Sequence, residues 1–325
     1  MNRGNFLLFS CSLFVGCSVT PPQQQQAPAE TFDIGMVSFA GYAPLYLAKE
    51  KGYFGDLDVR LHRIEEVPAI RAAVVRGDLE AYLATPDIAQ DTNDRPPGKA
   101  VWALDESKGG DGVVVGPGIT DVQQLKGKTI AAEPGLPPYF VLMYVLHKNG
   151  MALSDVSFKD MTTQNASTAF IAGSLDGAGI YEPYLSQAKA SRAGSSIVLS
   201  SADTPGMIVD LMFVNDATAA KRPEDVRKVI AGWRKAVAFI RTDPDEAFKI
   251  MSTAFGLPNQ EFADIVGGIT WLDLADNRRL FGSATEPGQL RVAFDTVNSV
   301  LRRNRPSVYA STADEYLVRD FIPIE

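Results

Sequence analysis

The sequence predicts an α/β protein made of two similar lobes, with the second inserted into the first. Three observations carry that prediction. From residue 32 onward strand-like and helix-like segments alternate, the signature of largely parallel sheets. Two separate stretches repeat one arrangement of turns, helix and acidic loop. Gly- and Pro-punctuated segments at 113–119 and 200–211 bracket the second stretch, as two connections between lobes would.

Taken in order, the strand candidates are 32–38, 58–64, 81–85, 99–104 and 112–116, then 128–132, 156–161, 177–181, 196–200 and 208–214. Between the first two lies "GYAPLYLAKEKGYFG", residues 41–55, which predicts a helix over 44–51. Pro44 suits a first turn, where no N–H is needed. Leu45, Leu47 and Ala48 give an apolar face, Lys49 and Lys51 load the C-terminal end, and Gly52 can close it left-handed. A strand, a Gly-containing turn and a helix start leave backbone N–H groups facing the space above the strand end. After 216 the pattern is almost wholly helical. Val226, Val229, Ile230, Trp233, Val237 and Ile240 mark one face, and Arg241 with the capping pair Asp243/Glu246 separates that helix from the next.

The repeat sets "GYAPLYLAKEKG…RGDLEAYLATPD" beside "GLPPYFVLMYVLHKNG…AGSLDGAGIYEP". In each, a G-x-x-P turn opens a helix and a second Gly follows, Gly41 to Gly77 and Gly135 to Gly173. A Leu and an acid come next, then a strand and an acidic Pro pair, Pro86–Asp87 or Glu182–Pro183. Residues 32–115 and 206–325 are expected in lobe 1 and 116–205 in lobe 2, with the chain crossing at 113–119 and 200–211. Ligands of open α/β sheets sit at the C-terminal strand edges, so the cleft between lobes is the expected site.

Composition narrows the function. With 31 basic and 39 acidic residues the net charge is −8, and no basic run offers nucleic acid a surface. The N-terminus, "MNRGNFLLFSCSLFVGC", has one early cation and an apolar stretch too short to span a bilayer, the pattern of a secretory signal over 1–16. "FVGC" resembles a bacterial lipobox, which implies lipidation of Cys17, although Phe14 stands where leucine is usual. Residues 17–31 then form a Pro- and Gln-rich tether. With Cys17 as the first mature residue no further cysteine remains, which excludes a disulfide scaffold, a thiol nucleophile and a cysteine-rich metal site. There are two histidines: His62 in a strand-like run and His147 near a helix C-terminus, where its charge is favourable. No Walker loop, G-x-S-x-G, G-x-G-x-x-G or H-E-x-x-H is present. The expectation is no catalytic residue, no metal and no cofactor.

Four segments together, "GYAPLYLAKEKGYFGDLDVRL", "AFIAGSLDGAGIYEPYLSQA", "SSADTPGMIVDLMFV" and "DPDEAFKIM", resemble the substrate-binding lipoproteins of bacterial ABC importers. The similarity is to the nitrate/sulfonate/taurine branch, which includes pyrimidine-precursor binders of thiamine metabolism, and covers roughly residues 32–300. It implies a two-lobed periplasmic-binding-protein type II fold, a Venus flytrap with a two-strand hinge. It also implies a lipid-anchored monomer outside the membrane that delivers a small solute to a permease and its ATPase. Carried across, the ligand-binding positions are Ser38, Phe39, Gly41 and Tyr42 in lobe 1, and Gly135, Leu136, Pro138, Tyr139, Tyr181 and Glu182 in lobe 2. Asp105 and Asp210 are polar wall residues. "IYEP" stands where many relatives carry a tryptophan before the Glu, which bears on ligand identity. Two alternatives share the fold: a ligand sensor without a transporter, and a pyrimidine-synthesis enzyme, whose cysteine-rich motif is absent here.

The ligand's charge is readable from the expected cleft loops. They hold Asp87, Asp105, Glu106, Asp111, Glu133, Glu182, Asp203 and Asp210 against one cation, Lys108. That balance favours a neutral or cationic nitrogen-containing solute over a bare oxyanion.

Overall fold

A computed structural model describes residues 31–95, 97–283 and 285–323, together with Met1. The signal region, Cys17 and the tether as far as residue 30 lie outside the described residues. The chain first builds β1 (Thr31–Met36), α1 (Ala43–Glu50), β2 (Asp58–Arg63), α2 (Val67–Arg76), β3 (Ala81–Ala84), α3 (Pro86–Gln90) and β4 (Lys99–Ser107). It continues through β5 (Asp111–Val115), β6 (Thr129–Ala132), α4 (Pro137–Lys148), β7 (Ser157–Asp160), α5 (Thr163–Ile171), β8 (Gly177–Tyr181), α6 (Tyr184–Ser191) and β9 (Ser196–Ser200). After β10 (Val209–Val214) come α7 (Asp216–Lys221), α8 (Pro223–Thr242), α9 (Pro244–Phe255) and α10 (Asn259–Ile265). A short strand, β11 (Ile269–Trp271), precedes α11 (Leu274–Phe281) and α12 (Gln289–Asn304). None of the described helices is long and apolar enough to cross a membrane.

Two sheets result, ordered β11-β4-β10-β3-β1-β2 and β7-β6-β8-β5-β9. In the first, β1 runs parallel to β2 and β3, while β10 is antiparallel to β3 and β4. In the second, β6 is parallel to β7 and β8, and β5 is antiparallel to β8 and β9. All ten strands read from the sequence are present. The eleventh, three residues long on the sheet edge, lies in the stretch read as helical.

The outgoing passage differs in place from its expectation. Residues 111–115, read as the end of lobe 1, pair wholly in the second sheet, so the chain passes between sheets at 108–110. Gly116-Pro117-Gly118 ends β5 rather than joining lobes. Gly109 takes φ +122° in this passage, and Gly268 packs against it, where a Cβ would meet the backbone of Gly109 and Gly110 at 3.0 Å. The return runs from 201 to 208.

Each lobe buries its own core. Phe32, Ile34, Trp102, Phe213 and Trp233 belong to the first, and Phe140, Leu142, Leu146 and Leu199 to the second. The helix α12, placed by the sequence in lobe 1, straddles both: Leu290 and Phe294 pack in the first core, Val297 and Leu301 in the second. In α8, Val226, Val229, Ile230, Trp233 and Val237 face inward as their spacing dictates. Asp243 caps α9 by accepting from the Glu246 N–H at 3.3 Å.

Helix α8 meets the turn that follows α1 through Gly232, where a Cβ would stand 2.4 Å from Phe54 Cδ1. Gly232→Val is expected to lower stability by about 1–3 kcal/mol through overpacking. A melting temperature equal to wild type would show that the Phe54 ring can give way.

Candidate functional site

The strand that leaves the first sheet and the strand that returns are neighbours, so their cleft-facing ends lie side by side. Asp105 on β4 stands opposite Asp210 on β10 in the ladder. The two passages between lobes are tied together at Ser201, whose hydroxyl accepts from the Gly109 N–H at 2.7 Å and lies 2.8 Å from the Ser107 hydroxyl. Asp111 begins β5 opposite Tyr181 on β8, and Asp87 sits in the first turn of α3. The site therefore draws on both sheets and both passages.

Above the end of β1 the chain makes a 3-10 turn, Ala40–Tyr42, before α1. Tyr42 is buried and its hydroxyl donates to Asp210 Oδ1. Gly41 is required here: a Cβ would lie 2.7 Å from Asp105 Oδ2 and 2.4 Å from the Phe39 ring. Its carbonyl accepts from the Trp271 indole N–H at 2.9 Å, so β11 holds the turn in place. The opposite lobe contributes Leu136 and Pro137 from the start of α4, and Tyr181 from the end of β8. Val37, Phe39, Tyr42, Ile88, Asp111, Leu136, Pro137, Tyr181 and Asp210 enclose a cavity of about 10 Å³, comparable to the room one water needs.

The expected site residues separate into those at the cavity and those turned elsewhere. Phe39, Tyr42, Asp111, Leu136, Tyr181 and Asp210 line it, with Gly41, Asp87 and Asp105 buried behind. Ser38 instead donates its hydroxyl to Glu65 at 2.5 Å. Pro137, not Pro138, reaches the cavity; Tyr139 packs on Phe158 at 5.3 Å, and Gly135 lies against Asp91. Glu182 accepts from the Ser186 N–H at 3.1 Å and its hydroxyl at 2.6 Å. Val37, Ile88 and Pro137 were not singled out from sequence, nor was Trp271. The only signal for Trp271 was "GGITW", a glycine pair before a β-prone run.

The eight acids of the cleft loops divide evenly. Glu106 pairs with Lys108 at 3.1 Å, which also removes the one cation from play. Glu133 accepts from the Thr163 N–H, Asp203 from the Ser200 N–H, and Glu182 from Ser186. Asp87, Asp105, Asp111 and Asp210 remain, each at most 3% exposed. None of the four is ion-paired among the described residues; Asp87 has only Thr85 and the backbone beside it, and Asp105 only Asp210. Burial pushes Asp87 and Asp111 up to about 7. Burial, then the facing Asp210, raises Asp105 well above the carboxylate range, and burial raises Asp210 too. Two carboxyls so placed cannot both ionise, and the pair holds at least one proton at neutral pH. Burial and Asp210 also raise the Tyr42 phenol, which stays neutral as a donor.

A protein family described as NMT1/THI5 like matches residues 40–247. The chain belongs to that family. A putative aliphatic sulfonates-binding protein of Bacillus subtilis is 24% identical over 262 residues, 78% of each chain. A putative binding protein of Brucella abortus is 28% identical over 156 residues, about half the length of either. Among solved structures, the alkanesulfonate-binding protein SsuA from Xanthomonas axonopodis pv. citri, bound to MOPS, superposes with TM-score 0.73 at 18% identity. That match covers 90% of this chain and all of the other. The periplasmic nitrate-binding protein NrtA from Synechocystis PCC 6803 gives 0.67 at 15% identity, over 90% and 87%. This NMT1/THI5-like chain therefore has the two-lobed fold of periplasmic binding proteins, and the curated relatives it matches carry the names of binding proteins.

The acids give the site a pH dependence of definite sign. Asp87 and Asp111 lie near 7 folded against 3.8 unfolded, so the folded protein binds more protons between those limits. Their contribution is complete below about pH 4 and lost as pH rises through about 7. The melting temperature of the protein alone is expected to fall from pH 5 to pH 8. Asp87→Asn and Asp111→Asn should each flatten that fall in differential scanning fluorimetry; a profile unchanged in both variants would remove these carboxyls as its source.

Proposed function

We propose that the protein is the extracytoplasmic solute-binding component of an ABC importer, closing its two lobes on a small nitrogen-containing organic cation. It acts as a monomer without catalysing a reaction. The observation that carries the choice of solute is the set Asp87, Asp105, Asp111 and Asp210, buried at the cleft without a cation. The family and the two-lobed fold support the binding role. The names of the relatives point to sulfonates and nitrate, and the carboxyl groups of this cleft, wherever they ionise, work against both. Even two carboxylates about 4 Å from an enclosed oxyanion would repel it by several kcal/mol at an effective dielectric near 20. An amine, amidine or aminopyrimidine accepts the opposite arrangement, donating charge-assisted hydrogen bonds to the free oxygens while the rings of Tyr42 and Tyr181 stack or face the cation.

A thermal-shift panel of nitrate, alkylsulfonates, taurine, amines, guanidines and aminopyrimidines separates the cases. A ligand at a hundred times its dissociation constant adds about 2.7 kcal/mol. Stabilisation by nitrogenous cations is expected, increasing as pH rises because the protons on the carboxyls must leave. Stabilisation by nitrate or sulfonates alone would overturn the cationic solute. Asp105→Asn should weaken cation binding about tenfold or more, as loss of a charge-assisted bond does.

Delivery to a permease requires the protein to stay at the membrane, and we propose that lipidated Cys17 and the 17–31 segment hold it there. Cys17→Ala should release soluble protein or leave an unprocessed precursor on fractionation. Mature, correctly sized mutant protein in the membrane fraction would exclude the anchor.

A further inference from the structure

The ring of Phe39 is only 5% exposed although it precedes a turn at the cleft. It stands edge-on to Tyr42 of its own lobe, centroids 5.4 Å apart, and edge-on to Tyr181 of the other lobe at 6.2 Å. A single ring thus spans the cleft. Its seat is Gly41, since a Cβ there would come within 2.4 Å of Phe39 Cε1. The seat itself is fixed from three sides. The Trp271 indole holds the Gly41 carbonyl at 2.9 Å, Tyr42 is bound to Asp210, and the Phe39 N–H donates to the Val37 carbonyl at 3.0 Å. What remains of the cavity is about 10 Å³, with Phe39, Val37, Ile88, Leu136 and Tyr181 forming its apolar wall and Asp111 and Asp210 its acidic one.

We propose that Phe39 sets the size limit of the solute. Its ring takes up the apolar side of the cleft between Tyr42 and Tyr181, and that volume is denied to a solute bearing an aromatic ring of its own. This rests on the cleft being the solute site, as proposed above. The ring has no polar atom with which to read a charge, so it selects by volume alone. Asp105 lies beside it: Phe39 Cε1 and Asp105 Oδ2 stand 2.4 and 2.7 Å from the point a Gly41 Cβ would occupy. An aromatic solute should therefore be admitted once the ring is removed, occupying the space it leaves, as apolar cavities opened by truncation accept benzene.

The test uses the full chain, its Phe39→Ala variant and the milder Phe39→Leu, titrated calorimetrically with methylguanidine, benzamidine and benzenesulfonate. Phe39→Ala is expected to bind benzamidine about tenfold or more tighter than wild type, with a smaller gain in Phe39→Leu and methylguanidine affected less than either. Melting curves establish that each variant is folded, and the Leu variant decides the matter alone if the Ala variant is not. A gain for benzenesulfonate in place of benzamidine would keep the size limit and overturn the cationic solute. No gain for either aromatic compound, or a wild type that already binds benzamidine as tightly as the variants, would overturn the size limit.

Discussion

A chain that leaves one lobe for another and then comes back must place two strands side by side, running opposite ways, with their ends at the gap. Here those strands are β4 and β10, and that adjacency brings Asp105 and Asp210 face to face. The second sheet answers with β5 beside β9, Gly112 opposite Ser200. Two carboxyls across a buried ladder can stay together only by sharing a proton, and burial enforces that. An apolar residue at Asp105 would remove that constraint, whereas Asp210 also answers the buried Tyr42 hydroxyl.

The cleft gathers around that pair by short-range means. Gly41 leaves the space a side chain would take to Asp105 and the Phe39 ring, which both crowd it. Tyr42 spends its hydroxyl on Asp210, and Trp271 steadies the same turn from the sheet edge. The start of α1 consequently looks onto carboxyl groups, where a helix N-terminus in other settings receives a free anion. Proteins named for sulfonate and nitrate share the two-lobed fold, and this chain sets four buried aspartates at its cleft. A fold is common to many sites; the side chains on it are what distinguish them.

Much of this was legible in the sequence because it is written in periodicity and punctuation. Ten strands, the α1 and α8 faces and the Asp243 cap follow from local pattern, and Phe39, Tyr42, Asp111, Leu136, Tyr181 and Asp210 do meet at one cavity. What could not be read is what depends on distant partners. Gly116-Pro117-Gly118 looks like a crossing by composition, yet the passage runs through Gly109 and Gly110, against which Gly268, far along the chain, has to be without a side chain. Glu182 and Ser38 carry the right chemistry for a ligand but satisfy Ser186 and Glu65 instead. Trp271 escaped notice because a three-residue edge strand leaves almost no periodic signal, and its function lies in a carbonyl 230 residues away.

The straddling helix α12 has a mechanical consequence. Two strands alone would let the lobes bend toward each other and also swivel about the line joining them. A stiff rod lodged in both cores, away from those strands, opposes the swivel, because rotation would shear Val297 and Leu301 across the face they pack on. Any change in the angle between the lobes has to be absorbed in the packing of that one helix, Leu290 and Phe294 on one side and Val297 and Leu301 on the other.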